Sequence, residues 1–99
     1  GIGMALLEHT IYDKQSGAPI NSNLADYMVA VNADVPRLEV HFLDYPDKEL
    51  NAVGARGIGE IGLAGIAAAI TAATYHATGV RVRELPIKIE DLLTSTVLA

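Results

Sequence analysis

Residues 60–78 read E-I-G-L-A-G-I-A-A-A-I-T-A-A-T-Y-H-A-T, and no other stretch constrains the fold as strongly. Alanine is the best helix former, so this run predicts one long helix. Gly79 follows as a left-handed stop, and His76 falls in the last turn, where a cation suits the helix dipole. Apolar residues such as Ile61, Leu63, Ile66 and Ile70, with the intervening alanines, go nearly all round. A helix of that kind expects burial on most sides. A bilayer span needs about 20 apolar residues. This run is shorter and is interrupted by Thr71 and Thr74, so it reads as a core helix rather than a membrane span.

Around that helix the chain offers short extended pieces. Residues 37–44, R-L-E-V-H-F-L-D, alternate cleanly: Leu38, Val40 and Phe42 take one face, Glu39, His41 and Leu43 the other. That pattern predicts a half-buried strand, closed off by the loop Y-P-D-K-E-L-N, where Pro46 blocks the ladder. Residues 80–85, V-R-V-R-E-L, alternate as a second short strand. Residues 10–12 and 19–20 flank D-K-Q-S-G-A, a turn signal with Gly17 available for a positive φ. Residues 21–35 carry scattered Asn and Asp and read as loop. Residues 1–9 suit the end of a helix, and after Pro86 the Ile87, Ile89, Leu92, Leu93 set suits a short amphipathic turn. The tail T-S-T-V-L-A is uninformative. The expected fold class is α+β: short antiparallel strands packed with one long Ala-rich buried helix. An opening as apolar as G-I-G-M-A-L-L leads us to expect a segment of a larger protein.

With 99 residues the chain is at most one small domain. A net charge of −5 with no basic block argues against nucleic-acid binding and against a polybasic membrane patch. The absence of cysteine excludes disulfides, thiolate metal sites and iron–sulfur ligation within the chain. His9, His41 and His76 are too widely spaced for a metal-ligand pattern.

The chemistry concentrates in residues 56–62, R-G-I-G-E-I-G. Gly57, Gly59 and Gly62 form a literal G-x-G-x-x-G, with Glu60 inside it. A dinucleotide site needs a buried strand before the glycines and a small or apolar lining. Here N-A-V-G-A-R is a poor strand, and a carboxylate beside a pyrophosphate would repel it. Two readings remain. In the bland one, the glycines make a loop that packs tightly and Glu60 is an ordinary first-turn acid. In the functional one, the glycines bring backbone close to a large ligand and expose Glu60 to it as a general base.

The nonapeptide G-A-R-G-I-G-E-I-G, the Ala-rich helix and A-T-G-V-R-V-R-E-L-P-I-K-I-E-D-L-L together resemble the C-terminal end of the molybdenum-binding large subunit of the xanthine dehydrogenase / aldehyde oxidase family. G-I-G-M-A-L-L-E, N-S-N-L-A-D-Y-M and D-V-P-R-L-E-V-H-F fall in that family's order, so the resemblance covers essentially the whole chain and is nearest the bacterial aldehyde-oxidase type. It implies a fragment, residues 1–99, of a molybdopterin-binding domain. It implies a molybdenum hydroxylase oxidising aldehydes or N-heterocycles, with water as oxygen source and Glu60 as the base at the metal centre. Gly59, with Gly57, would lie near the cofactor. It further implies that the rest of the large subunit and iron–sulfur clusters lie outside this chain, as does FAD where a flavin partner exists, a point the resemblance leaves open, and that the chain alone is inactive and self-associates. Arg56 stands where many relatives carry lysine. The compartment, bacterial cytoplasm or periplasm, is left open. The alternative function is a non-catalytic packing or assembly module.

Other residues attract blander readings. Tyr27 and Tyr45 fit half-buried packing better than a substrate channel. His41 fits a solvated strand face, Glu90 and Asp91 a solvated helix face, and Arg81 and Arg83 surface pairing with acids.

Overall fold

The computed structural model describes residues 1–93, and the tail 94–99 lies outside the described residues. Among the described residues three α-helices appear in order: α1 (Ile2–Leu6), α2 (Ile66–Thr78) and α3 (Ile89–Leu93). A 3-10 turn, Ile61–Leu63, precedes α2.

The anticipated helix is thus divided. Gly62 and Gly65 interrupt its first third, and glycine in a helix interior costs about 1 kcal/mol relative to alanine. Residues 61–63 make only the 3-10 turn, and Gly65 becomes the N-cap of α2. The far end behaves as expected: Gly79 takes φ 76, and its N–H donates to the Tyr75 carbonyl at 2.8 Å. Thr71, Thr74 and Thr78 turn their hydroxyls back onto the carbonyls of Ala68, Ile70 and Thr74, which satisfies them without outside partners. Residues 61–78 have the length and composition of a membrane span. Their regular α-helical part is 13 residues, a rise of about 20 Å against the ~30 Å of a hydrocarbon core.

The expected α+β architecture is not observed. Among the described residues there is no strand, only an isolated antiparallel bridge between Tyr12 and Pro19. Residues 37–44 are exposed throughout, with Phe42 80% accessible. The alternation survives only locally: Glu39 meets Arg37 at 2.7 Å and His41 at 3.9 Å, neighbours two apart on one side of an extended chain. Residues 80–85 likewise form no ladder. A strand needs a paired backbone and a covering layer, and neither exists among the described residues. The long helix is not buried either: no residue of α2 is fully covered. The radius of gyration is 18.6 Å, where a compact chain of this length would reach about 13 Å.

What core there is sits around α1. Ala5 and Ile87 are its buried apolar residues, joined by the Ile87 N–H donating to the Ala5 carbonyl at 2.8 Å. Gly1 packs on the first turn of α2 so closely that a Cβ there would come within 2.7 Å of Ile66. Next to this lies the turn anticipated between residues 12 and 19. The Asp13 N–H donates to Ala18 and the Ile20 N–H to Ile11, at 2.8 and 2.9 Å, with Gly17 at φ 71. Hydrogen bonds from the Ser16 hydroxyl, then from backbone N–H groups, hold the Asp13 carboxyl below its ordinary pKa. Asn21 is buried and clamps the turn. Its amide donates to the His9 carbonyl at 2.7 Å and its oxygen accepts from the Ile11 N–H at 2.9 Å. The Tyr27 hydroxyl donates to Glu8 at 2.9 Å, which ties the following loop back to α1.

Candidate functional site

The site is built from two consecutive loop devices. The first closes residues 46–56. The Asp47 N–H donates to the Gly54 carbonyl at 3.0 Å, and the Gly54 N–H donates to Asn51 at 3.0 Å. Asn51 grips Ala55 at both ends, donating from its amide to the carbonyl at 2.8 Å and accepting from the N–H at 3.1 Å. The Arg56 guanidinium then pairs with the Asp47 carboxylate across the stem. Gly54 is buried at φ 74, and a Cβ on it would stand 2.8 Å from Pro46 Cβ and 3.1 Å from the Asp47 nitrogen. No other residue fits there without displacing the stem.

The second device presents Glu60. The Ile61 N–H donates to the Ile58 carbonyl at 3.1 Å, so residues 58–61 form a β-turn. Gly59, the first central residue, has φ 52, and Glu60, the second, has φ −98 and ψ 14. Positive φ at the first central position alone is the mark of a type II′ turn, whose preferred residue there is glycine. Glu60 then caps the 3-10 turn, its carbonyl accepting from Leu63 N–H at 2.9 Å.

Glu60 is not a first-turn acid of the long helix: α2 starts at Ile66 and has no acid in its first turn. The Glu60 side chain is exposed, and among the described residues no basic group or hydrogen-bond donor pairs with it. Ideal Cβ atoms on Gly57, Gly59 and Gly62 would meet nothing within 4 Å. The backbone around Glu60 therefore faces open space. Gly57 has neither a positive φ nor a close neighbour, so nothing within this chain requires glycine there.

An open groove of about 380 Å³ runs beside the site, with Tyr45, Pro46, Gly54, Arg56 and Ile58 in its walls. Tyr45 stands 88% exposed there rather than packed. Two larger hollows, beside residues 80–88 and between α1 and residues 86–90, take none of their lining from residues 57–62. Arg81 lies over the Tyr75 ring, 4.0 Å from its centroid, and not against an acid. Among the described residues, no three His, Cys, Asp or Glu side chains gather to hold a metal ion. In the sequence Asp47, Asn51 and Gly54 show only loop character. Their signal was the Asx-x-x-x-Asx-x-x-Gly spacing of a closed loop.

No protein-family profile matches the chain. It is similar to the aldehyde oxidoreductase molybdenum-binding subunit PaoC of Escherichia coli K12, at 46% identity over 94% of this chain and 13% of that protein. It is similar to the xanthine dehydrogenase molybdenum-binding subunit of Escherichia coli O157:H7, at 40% identity over 88% of this chain and 11% of that protein. It is also similar to subunit gamma of the 6-hydroxypseudooxynicotine dehydrogenase complex of Paenarthrobacter nicotinovorans, at 32% identity over 95% of this chain and 12% of that protein. The chain spans between 11% and 13% of the length of these relatives.

Proposed function

The chain is related, over nearly its whole length, to the molybdenum-binding subunits of the aldehyde oxidoreductase and xanthine dehydrogenase family, and from that premise we propose that it supplies the general base of a molybdenum hydroxylase. In this reading residues 1–99 are the C-terminal part of a molybdopterin-binding domain. The full protein oxidises an aldehyde or an N-heterocycle, with water as oxygen source. The remainder of the large subunit and an iron–sulfur subunit, with or without a flavin subunit, are its partners.

The observation that carries the reading is the unpartnered Glu60 at the corner of the Gly59 turn, with open space over Gly57, Gly59 and Gly62. A missing Cβ at three positions within six residues leaves room for a large group to approach the backbone. The same residues do not fit ligation of the metal itself, since no cluster of donors is present among the described residues. Gly59 and Gly57 would touch the cofactor, and Glu60 would reach the reacting oxygen. Once bound, the molybdenum cofactor supplies the redox chemistry. Glu60 accepts the proton of the attacking oxygen nucleophile, which is general-base work. The Gly59 turn defines the backbone from which that carboxylate projects, and positioning of a base lowers the part of the barrier spent on orientation.

A pure packing module is the competing reading, and the exposed α2 and residues 37–44 favour it. It gives no reason for an unpaired carboxylate set on a glycine turn. Replacement of Glu60 by glutamine in the intact complex, with molybdenum content measured, separates the two.

A further inference from the structure

We propose that Asp47 is a positioning residue for Glu60, acting through Arg56; the inference rests on Glu60 being the base. The closed loop ends at Arg56, and the Glu60 turn begins at Ile58 with the Ile58 carbonyl accepting from Ile61. Gly57 is the one residue between them, so the place of the turn is set by the loop through a single link. An isolated surface ion pair holds little, but this one is not isolated. The Asp47 side chain is 24% exposed against 63% for Arg56. Asp47 also anchors the stem through its own N–H on the Gly54 carbonyl, and Asn51 grips Ala55 immediately before Arg56. The guanidinium makes the final closure. Without it, residues 55–57 lose the only side-chain tie beyond Asn51 that the described residues give them, and the turn carrying Glu60 swings on glycine.

The test uses the intact molybdenum-binding subunit in its complex, with Asp47→Asn, Arg56→Gln, the exchange Asp47→Arg with Arg56→Asp, and Glu60→Gln in parallel. Three quantities are read: kcat and KM for an aromatic aldehyde, molybdenum content, and hydrogen exchange of the Ile61 amide. Asp47→Asn is expected to lower kcat about tenfold with KM changed less than about threefold, the pattern of misplacement rather than lost binding. Molybdenum stays bound, and the Ile61 amide exchanges faster because its turn is less well held. The exchanged pair recovers most of both losses, which a merely structural role for either side chain alone would not produce. If Asp47→Asn fails to fold, Arg56→Gln removes the charge from the other side of the pair and carries the same readouts. Unchanged kcat or unchanged Ile61 exchange in the folded variant overturns the inference, as does an exchanged pair no better than the single variants. Full turnover in Glu60→Gln overturns the base reading and the inference with it. A dead Glu60→Gln beside an unaltered Asp47→Asn overturns the inference alone.

Discussion

The Arg56 guanidinium closes on the Asp47 carboxylate nine residues back in the chain, and Glu60 follows that closure by four residues. Three glycines flank Glu60, but they do different work. Gly59 carries a positive φ that its turn demands, whereas Gly57 and Gly62 carry none.

Gly59→Ala should therefore cost stability and activity together. The left-handed conformation penalises a Cβ by about 1–2 kcal/mol, and relief of that strain moves Glu60. Gly57→Ala is the control: with no such demand in this chain, it should change stability by less than about 0.5 kcal/mol. Denaturant unfolding of the intact subunit checks both. A Gly57→Ala variant that is stable yet loses molybdenum would locate the cofactor against that glycine.

Gly54→Ala should be the most damaging glycine replacement in the loop. The new Cβ meets Pro46 at 2.8 Å and must also adopt φ 74. A cost above about 2 kcal/mol, the sum of strain and overpacking, is expected in the unfolding free energy. An alanine variant of wild-type stability would mean the stem relaxes freely.

Much of the local architecture was legible in the sequence. Gly79 ends α2 and Gly17 turns the chain because both positions impose conformations that only glycine takes cheaply. The strands were not. Leu38, Val40 and Phe42 alternate as a strand should, but alternation records which face is to be covered, not what covers it. With no pairing backbone among the described residues, the pattern stays an exposed extended segment. The long helix is shorter for a different reason: alanine content favours helix throughout, but Gly62 and Gly65 interrupt it, and the regular helix starts only after Gly65. Glu60 was legible as the odd carboxylate among glycines. Its supporting pair was not, because Asp47 and Arg56 are ordinary surface residue types until the loop closes.

The isolated chain should self-associate. Leu24, Phe42 and Leu43 stand 86%, 80% and 89% exposed, far more apolar surface than a monomer tolerates. Light scattering on residues 1–99 should show species larger than a monomer, their size growing with concentration. A monodisperse monomer would contradict this.

The Tyr27 phenol should titrate above the ordinary tyrosine range, because its hydroxyl donates to the Glu8 carboxylate and because burial and the Glu8 charge add to that. A raised phenol pKa means that its stabilising contribution is complete below the ordinary tyrosine value and is lost as pH rises through the folded value. The difference in ultraviolet titration between the parent and Tyr27→Phe isolates this group. Glu8→Gln should bring it back down.

The most direct measurement is steady-state turnover of the intact complex carrying Glu60→Gln, with molybdenum content determined on the same sample. Glutamine keeps the size of the side chain and removes the base. The account predicts kcat lower by about 10²–10⁴, the usual contribution of a positioned base, with molybdenum loading unchanged. Turnover at the parent level with full molybdenum would contradict it.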